Sequence, residues 1–178
     1  LSIRRQRQMC IRDSNSCQNN LNQTLIIITN PLPEVVLSGG GSIFLCDALY
    51  KAKKLKYISC HHEQAVSFAS ESYARCANIV GCALVTTGPG GTNALTGVTS
   101  SWIDSVPVIF ISGQVFLNQT IGNTKKRQIG VQEINIIDLV KPITKYSVML
   151  TYPEEIKFHL EKAYHICNSG RPGPVWID

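Results

Sequence analysis

The chain has 178 residues, 44% hydrophobic and 16% charged, with a formal net charge of +5. That length and balance fit one soluble globular domain with a sizeable core and exclude a disordered chain. Residues 1–13 carry four arginines and one aspartate, so they hold +3 of the charge, and the remaining +2 is too little for a nucleic-acid surface. Lys51, Lys53, Lys54 and Lys56 form the densest other cluster and read as a solvated helix end. The seven cysteines (Cys10, Cys17, Cys46, Cys60, Cys76, Cys82 and Cys167) include no C-x-x-C pair and are odd in number, which suits a reducing, cytoplasmic setting. Leu25–Ile28 is too short for a membrane span or a signal-peptide core.

Residues 1–32 are an atypical lead, Arg/Gln-rich and then Asn/Gln-rich, with no helical or strand period; it is expected to be non-native or disordered. From residue 33 the chain alternates between strand and helix signals. Glu34–Leu37 reads as a strand, and Gly39-Gly40-Gly41 turns into a helix over residues 42–52. Leu55–Ser59 is a second strand. A helix over 64–77 follows, with Ala65, Ala69, Tyr73 and Ala77 on one face. Ile79–Thr86 is a buried strand, the glycine-rich turn opens a helix over 92–102, and Val106–Ser112 is the next strand. Leu117–Gln132 is a long polar loop, of the kind that is functional or mobile in compact domains. A short helix over 133–140 stops at Pro142. Pro153–Cys167 is a helix with Ile156, Leu160, Ala163 and Tyr164 on one side, and Gly170–Gly173 turns into a last strand, Pro174–Ile177. This alternation predicts an α/β domain over residues 33–178, a doubly wound open parallel sheet with helices on both faces. Glu63, Gly88–Gly91 and Gly113 are then expected together at the carboxyl edge of the sheet, where such folds bind ligands. The chain stops at Asp178 directly after a strand, as an amino-terminal fragment would.

The motifs that carry chemistry are His61-His62-Glu63-Gln64-Ala65, Ser72-Tyr73-Ala74-Arg75, Thr87-Gly88-Pro89-Gly90-Gly91-Thr92-Asn93-Ala94, Asp104-Ser105-Val106-Pro107, Ile111-Ser112-Gly113-Gln114, Gln132-Glu133 and Gly170-Arg171-Pro172-Gly173-Pro174-Val175. In order and spacing they resemble the amino-terminal pyrimidine-binding domain of the thiamine diphosphate enzymes, nearest the large subunit of acetolactate synthase. The resemblance implies that Glu63 is the acid that hydrogen-bonds the pyrimidine ring nitrogen of thiamine diphosphate and promotes loss of the thiazolium proton. That role needs a carboxyl still protonated near neutral pH, which an apolar, partly buried site favours. It further implies cofactor contact at Gly39, Gly40, Gly88, Pro89 and Gly90, where the absence of side chains from the glycines admits the pyrimidine. Ser38 stands where the family has proline. Asn93 is either a ligand neighbour or a helix cap. Gln132 matches a family glutamine at the substrate end of the cofactor.

By the same resemblance the full-length enzyme decarboxylates a 2-keto acid such as pyruvate and ligates the product to a second carbonyl compound. Magnesium is expected in a carboxyl-terminal domain bearing a Gly-Asp-Gly motif, which this sequence lacks, and the site is expected to need a second subunit of a homodimer or homotetramer. No nucleic-acid or membrane partner is expected, and the fragment alone is expected to be inactive. His61 and His62 have no third ligand at metal spacing, so no metal site is assigned here; one is expected to face the core or a neighbouring subunit and the other solvent. Two other readings stand beside this one. A non-catalytic dimerisation or regulatory module could share the fold. A dinucleotide-binding domain is imitated by Gly39-x-Gly41, but Phe44 occupies the place of the third glycine and would obstruct close helix–strand packing.

Overall fold

In the computed structural model, which describes residues 33–52 and 55–178, six strands form one all-parallel sheet. They are β1 (Pro33–Val36), β2 (Lys56–Ser59), β3 (Gly81–Val85), β4 (Val108–Ser112), β5 (Tyr146–Val148) and β6 (Val175–Ile177), in the order β2-β1-β3-β4-β6-β5. The helices are α1 (Ile43–Lys51), α2 (Glu63–Ala77), α3 (Pro89–Asn93), α4 (Leu95–Ile103), α5 (Ile136–Val140) and α6 (Ile156–Asn168). The doubly wound α/β expectation is met. The lead, Lys53, Lys54, Cys10 and Cys17 lie outside the described residues.

β3 and β4 are buried along their whole length, as expected of apolar strands covered on both faces. Their alternate residues feed two separate cores. Leu84, Ile109 and Ile111 meet Leu49 of α1 and Ile156, Leu160 and Cys167 of α6 on one face. Ala83, Val85, Val108 and Phe110 meet Val66, Val98 and Ile136 on the other, where Phe110 stacks on the fully buried Trp176 at 5.5 Å between ring centroids. Burying large side chains of this kind stabilises the fold by roughly 1.5–3 kcal/mol each.

The chain leaves β1 for β2 on one side and returns to β3 on the other. The switch point of the sheet therefore lies between β1 and β3, and the turns after these strands flank a crevice at the carboxyl edge.

Several element readings are corrected. The face of α2 that packs on the sheet is Val66, Ser67, Ser70, Glu71 and Ala74, whereas Ala65 and Ala77 are exposed. Small polar residues could be buried because each finds a partner: Ser70 donates to the Cys82 carbonyl, Ser67 to the Gln64 carbonyl. The predicted helix over 92–102 starts earlier, at Pro89, and breaks at Ala94. Pro142 sits within a 3-10 turn, Lys141–Ile143, that continues α5, since proline is tolerated in a first turn. A further 3-10 turn, Leu117–Gln119, interrupts the long loop. β5 went unread because three half-buried residues carry no distinct period. On α6, Tyr164 is 42% exposed and Cys167 takes the expected core position. His61 and His62 are both exposed; His62 caps α2, its Nδ1 accepting from the Gln64 amide at 3.1 Å.

Candidate active site

Glu63 opens α2 immediately beyond β2, so its carboxyl stands at the carboxyl edge. The Asn93 side-chain amide donates to Glu63 Oε2 at 3.1 Å. Asn93 is therefore no helix cap: it closes α3 and faces the acid. The turn between β3 and α3 completes this group, because a Cβ added at Gly90 would lie 3.3 Å from Glu63 Oε1 and 2.5 Å from Thr86 Cγ2. Pro89, in the first turn of α3, is exposed at the same edge.

Gly88 has φ +60 and ψ −121, and an added Cβ would fall 2.0 Å from the Gln132 carbonyl oxygen. Gln132 is itself in the left-handed region, at φ 59, with an exposed side chain. Strained backbone of this sort persists only where its surroundings enforce it. The glycines after β1 divide in two. Gly39 abuts Thr86 and Gly41 abuts Thr87, each with no room for a Cβ, while Gly40 has no atom within 4 Å of one. The space in front of Gly40 continues into a cleft of about 310 Å³ bounded by Phe44, Thr87, Gln114, Phe116, Val131 and Gln132. Glu63 does not line this cleft. The Thr86–Gly90 turn lies between the two, with Gly90 beside Glu63, Gly88 against the Gln132 carbonyl and Thr86 against Gly39.

Sequence reasoning assigned no role to Gln114, which lines the cleft, or to the polar residues bonded behind it. The Gln114 side chain accepts from Thr87 Oγ1 at 3.1 Å and from the Val115 amide at 2.9 Å, and donates to Asp178 Oδ2 at 2.8 Å. Ser112 donates to the other Asp178 oxygen and accepts from Trp176 Nε1 at 2.8 Å. The signal was present in Ile-Ser-Gly-Gln and the terminal Ile-Asp, but nothing in one sequence pairs segments so far apart.

Burial pushes the Asp178 carboxyl up to about 6 from its ordinary 3.8, against the hydrogen bonds from Ser112 and Gln114. The folded chain thus holds this proton more tightly than the unfolded one. The stability it contributes is fully present below pH 3.8 and is lost as pH rises through about 6, on the order of 3 kcal/mol. Asp178→Asn should flatten that window in denaturant titrations run from pH 4 to 7; an unchanged slope contradicts the assignment.

Among the described residues, no group of three His, Cys, Asp or Glu could hold a metal ion, and no helix is long and apolar enough to cross a membrane. Residues 35–139 match the family described as "Thiamine pyrophosphate enzyme, N-terminal TPP binding domain". The chain is 40% identical over 140 residues to the acetolactate synthase large subunit of Haemophilus influenzae, covering 79% of this chain and 23% of that protein. It is 36% identical over 140 residues to the acetolactate synthase isozyme 3 large subunit of Escherichia coli K12, with the same two coverages. Against the acetolactate synthase of Arthrospira platensis the figures are 38% over 143 residues, 79% and 24%. The chain thus spans about a quarter of the length of the curated relatives it matches.

Proposed function

This chain belongs to the thiamine pyrophosphate enzymes, as an N-terminal TPP binding domain, and from that premise we propose that it is the pyrimidine-binding part of an acetolactate synthase-like carboligase. The single observation that carries this reading is the meeting of Glu63 with Asn93 and Gly90 at the carboxyl edge of the sheet. The full-length protein decarboxylates a 2-keto acid, pyruvate first among them, and joins the product to a second carbonyl compound. Support for the reaction class comes from relatives named as acetolactate synthases.

The residues present fit the cofactor. Gly40 leaves open space beside the switch point, and Thr86 Oγ1 is buried at the same edge without a hydrogen-bond partner. When bound, thiamine diphosphate supplies a carbon acid that adds to carbonyl compounds once deprotonated. The Glu63 carboxyl would hydrogen-bond the pyrimidine ring nitrogen, with Asn93 orienting that carboxyl and Gly40 leaving room for the ring. Gly39, Gly88, Pro89 and Gly90 shape the turns on either side. Gln132 bounds the cleft on the substrate side. The phosphates and magnesium are held by residues outside this chain, and a second subunit of a homodimer or homotetramer completes the site. Ala65 and the 39%-exposed Phe68, three residues apart on α2, leave apolar surface that suits such a partner. A cytoplasmic setting belongs to the same reading.

It follows that the isolated 178-residue chain binds thiamine diphosphate weakly and has no carboligase activity. Calorimetric titration with cofactor and magnesium checks this: a dissociation constant above about 1 mM, corresponding to roughly −4 kcal/mol, is expected. Micromolar binding by the isolated chain would mean that the phosphate site lies within it. A non-catalytic module with this fold would bind the cofactor no better in the full-length protein than in the fragment.

A further inference from the structure

The loop that closes the cleft is tied to one buried carboxylate. Glu133 Oε1 accepts from the Ile121 amide, and Glu133 Oε2 accepts from the amides of Ile129 at 3.1 Å and Gly130 at 3.3 Å. Glu133 is buried, while residues 122–128 between its partners are exposed. Local turn bonds from Thr124 to the Ile121 carbonyl and from Gln128 to the Gly130 carbonyl shape the exposed stretch, and the three N–H groups converging on Glu133 tie it to a buried side chain. A charged acceptor makes such bonds stronger than neutral ones. Two further features fix the same segment to the cleft. Gly130 is buried against Val115, where a Cβ would meet the valine at 2.8 Å. Gln132, next in sequence to Glu133, holds its left-handed backbone with its carbonyl packed on Gly88.

We propose that Glu133 is a positioning residue for the reaction: its carboxylate anchors the 121–133 loop and so holds Gln132 and Val131 as the wall of the cleft that receives the keto acid. The substrate half of this statement rests on the function proposed above; the anchoring half does not. Glu133 touches no reacting atom, and its effect passes through the backbone of Gln132.

The test is Glu133→Gln in the full-length protein, with two readouts. Glutamine keeps the shape but places an N–H₂ group where an oxygen faced backbone donors. Amide hydrogen exchange at Ile121, Ile129 and Gly130 is expected to quicken about tenfold or more, as the loss of hydrogen bonds to a charged group implies, while β3 and β4 amides keep their protection. In steady state the KM for pyruvate is expected to rise by tenfold or more, with kcat/KM falling by up to about 10²-fold, since small misplacement of a positioned group has that cost. A merely destabilising substitution lowers the fraction of active enzyme, hence kcat, and leaves KM unchanged. Should Glu133→Gln fail to fold, Glu133→Asp keeps the charge, shortens its reach and is expected to give the same KM-against-kcat split. Unchanged exchange at the three amides overturns the anchor. Faster exchange with an unchanged KM overturns the link to the substrate. A wild-type enzyme with no activity on any keto acid rejects the proposed function, and the exchange readout alone then decides the anchor.

Discussion

Glu63→Gln in the full-length protein is expected to slow exchange of the cofactor's thiazolium proton by roughly 10²–10⁴-fold, the range over which a positioned acid or base contributes. Glutamine preserves the length of the side chain and an oxygen able to accept from Asn93, which reaches Glu63 Oε2 at 3.1 Å. What it removes is the acidic proton offered to the pyrimidine. Stability should change little, within about 0.5 kcal/mol, because Glu63 is only half-buried at the start of α2 and makes no large apolar contact. Proton–deuterium exchange at that carbon, followed with cofactor saturating both proteins, separates the alternatives. Near-equal rates with a stability loss would make Glu63 a structural residue of the helix start.

The largest expected effect on folding is at Gly88. Gly88→Ala should destabilise the 178-residue chain by about 3 kcal/mol or more, from a backbone conformation open essentially to glycine and from overlap that the core cannot relieve. The overlap is specific: the new methyl would sit 2.0 Å from the Gln132 carbonyl oxygen, a backbone atom already fixed in the left-handed region. Gly122→Ala is the matched control. Gly122 also has positive φ, +47, but an added Cβ there meets nothing within 4 Å. It should cost only about 1 kcal/mol, the conformational part alone. Urea denaturation of the three proteins gives both numbers. Equal losses at the two glycines would show that the turn after β3 yields to accommodate the methyl and does not clamp Gln132.

The sheet was legible because its central strands, Gly81–Val85 and Val108–Ser112, are continuous apolar runs that alternate with helix signals, the pattern of parallel strands covered on both faces. Glu63 and the glycine-rich turn could be placed at one edge for the same reason: each follows a strand, and parallel strands put their ends together. The packing face of α2 was not legible. Its small residues have helical spacing on two sides, and the buried side is the one where Ser70 reaches the Cys82 carbonyl and Glu71 pairs with Arg75 and Ser100. Hydropathy cannot see a polar residue that is buried because it is satisfied. Glu133 and Asp178 escaped for a related reason. Both carboxylates draw their partners from segments distant in sequence or from backbone amides, which no residue pattern announces. The packing around the glycines was not legible either. Gly39 and Gly88 are filled around by Thr86 and Gln132, and Gly40 alone of the group faces open space, a distinction visible only once the turns are in place.

The most direct measurement is a crystal structure of the full-length protein with thiamine diphosphate bound. The predicted result places the Glu63 carboxyl within hydrogen-bond reach of the pyrimidine ring nitrogen, about 2.6–3.2 Å, with the ring in the space before Gly40 between the turns that follow β1 and β3. A pyrimidine seated elsewhere, with Glu63 bonded only to Asn93 and water, would contradict the assignment of this edge as the active site.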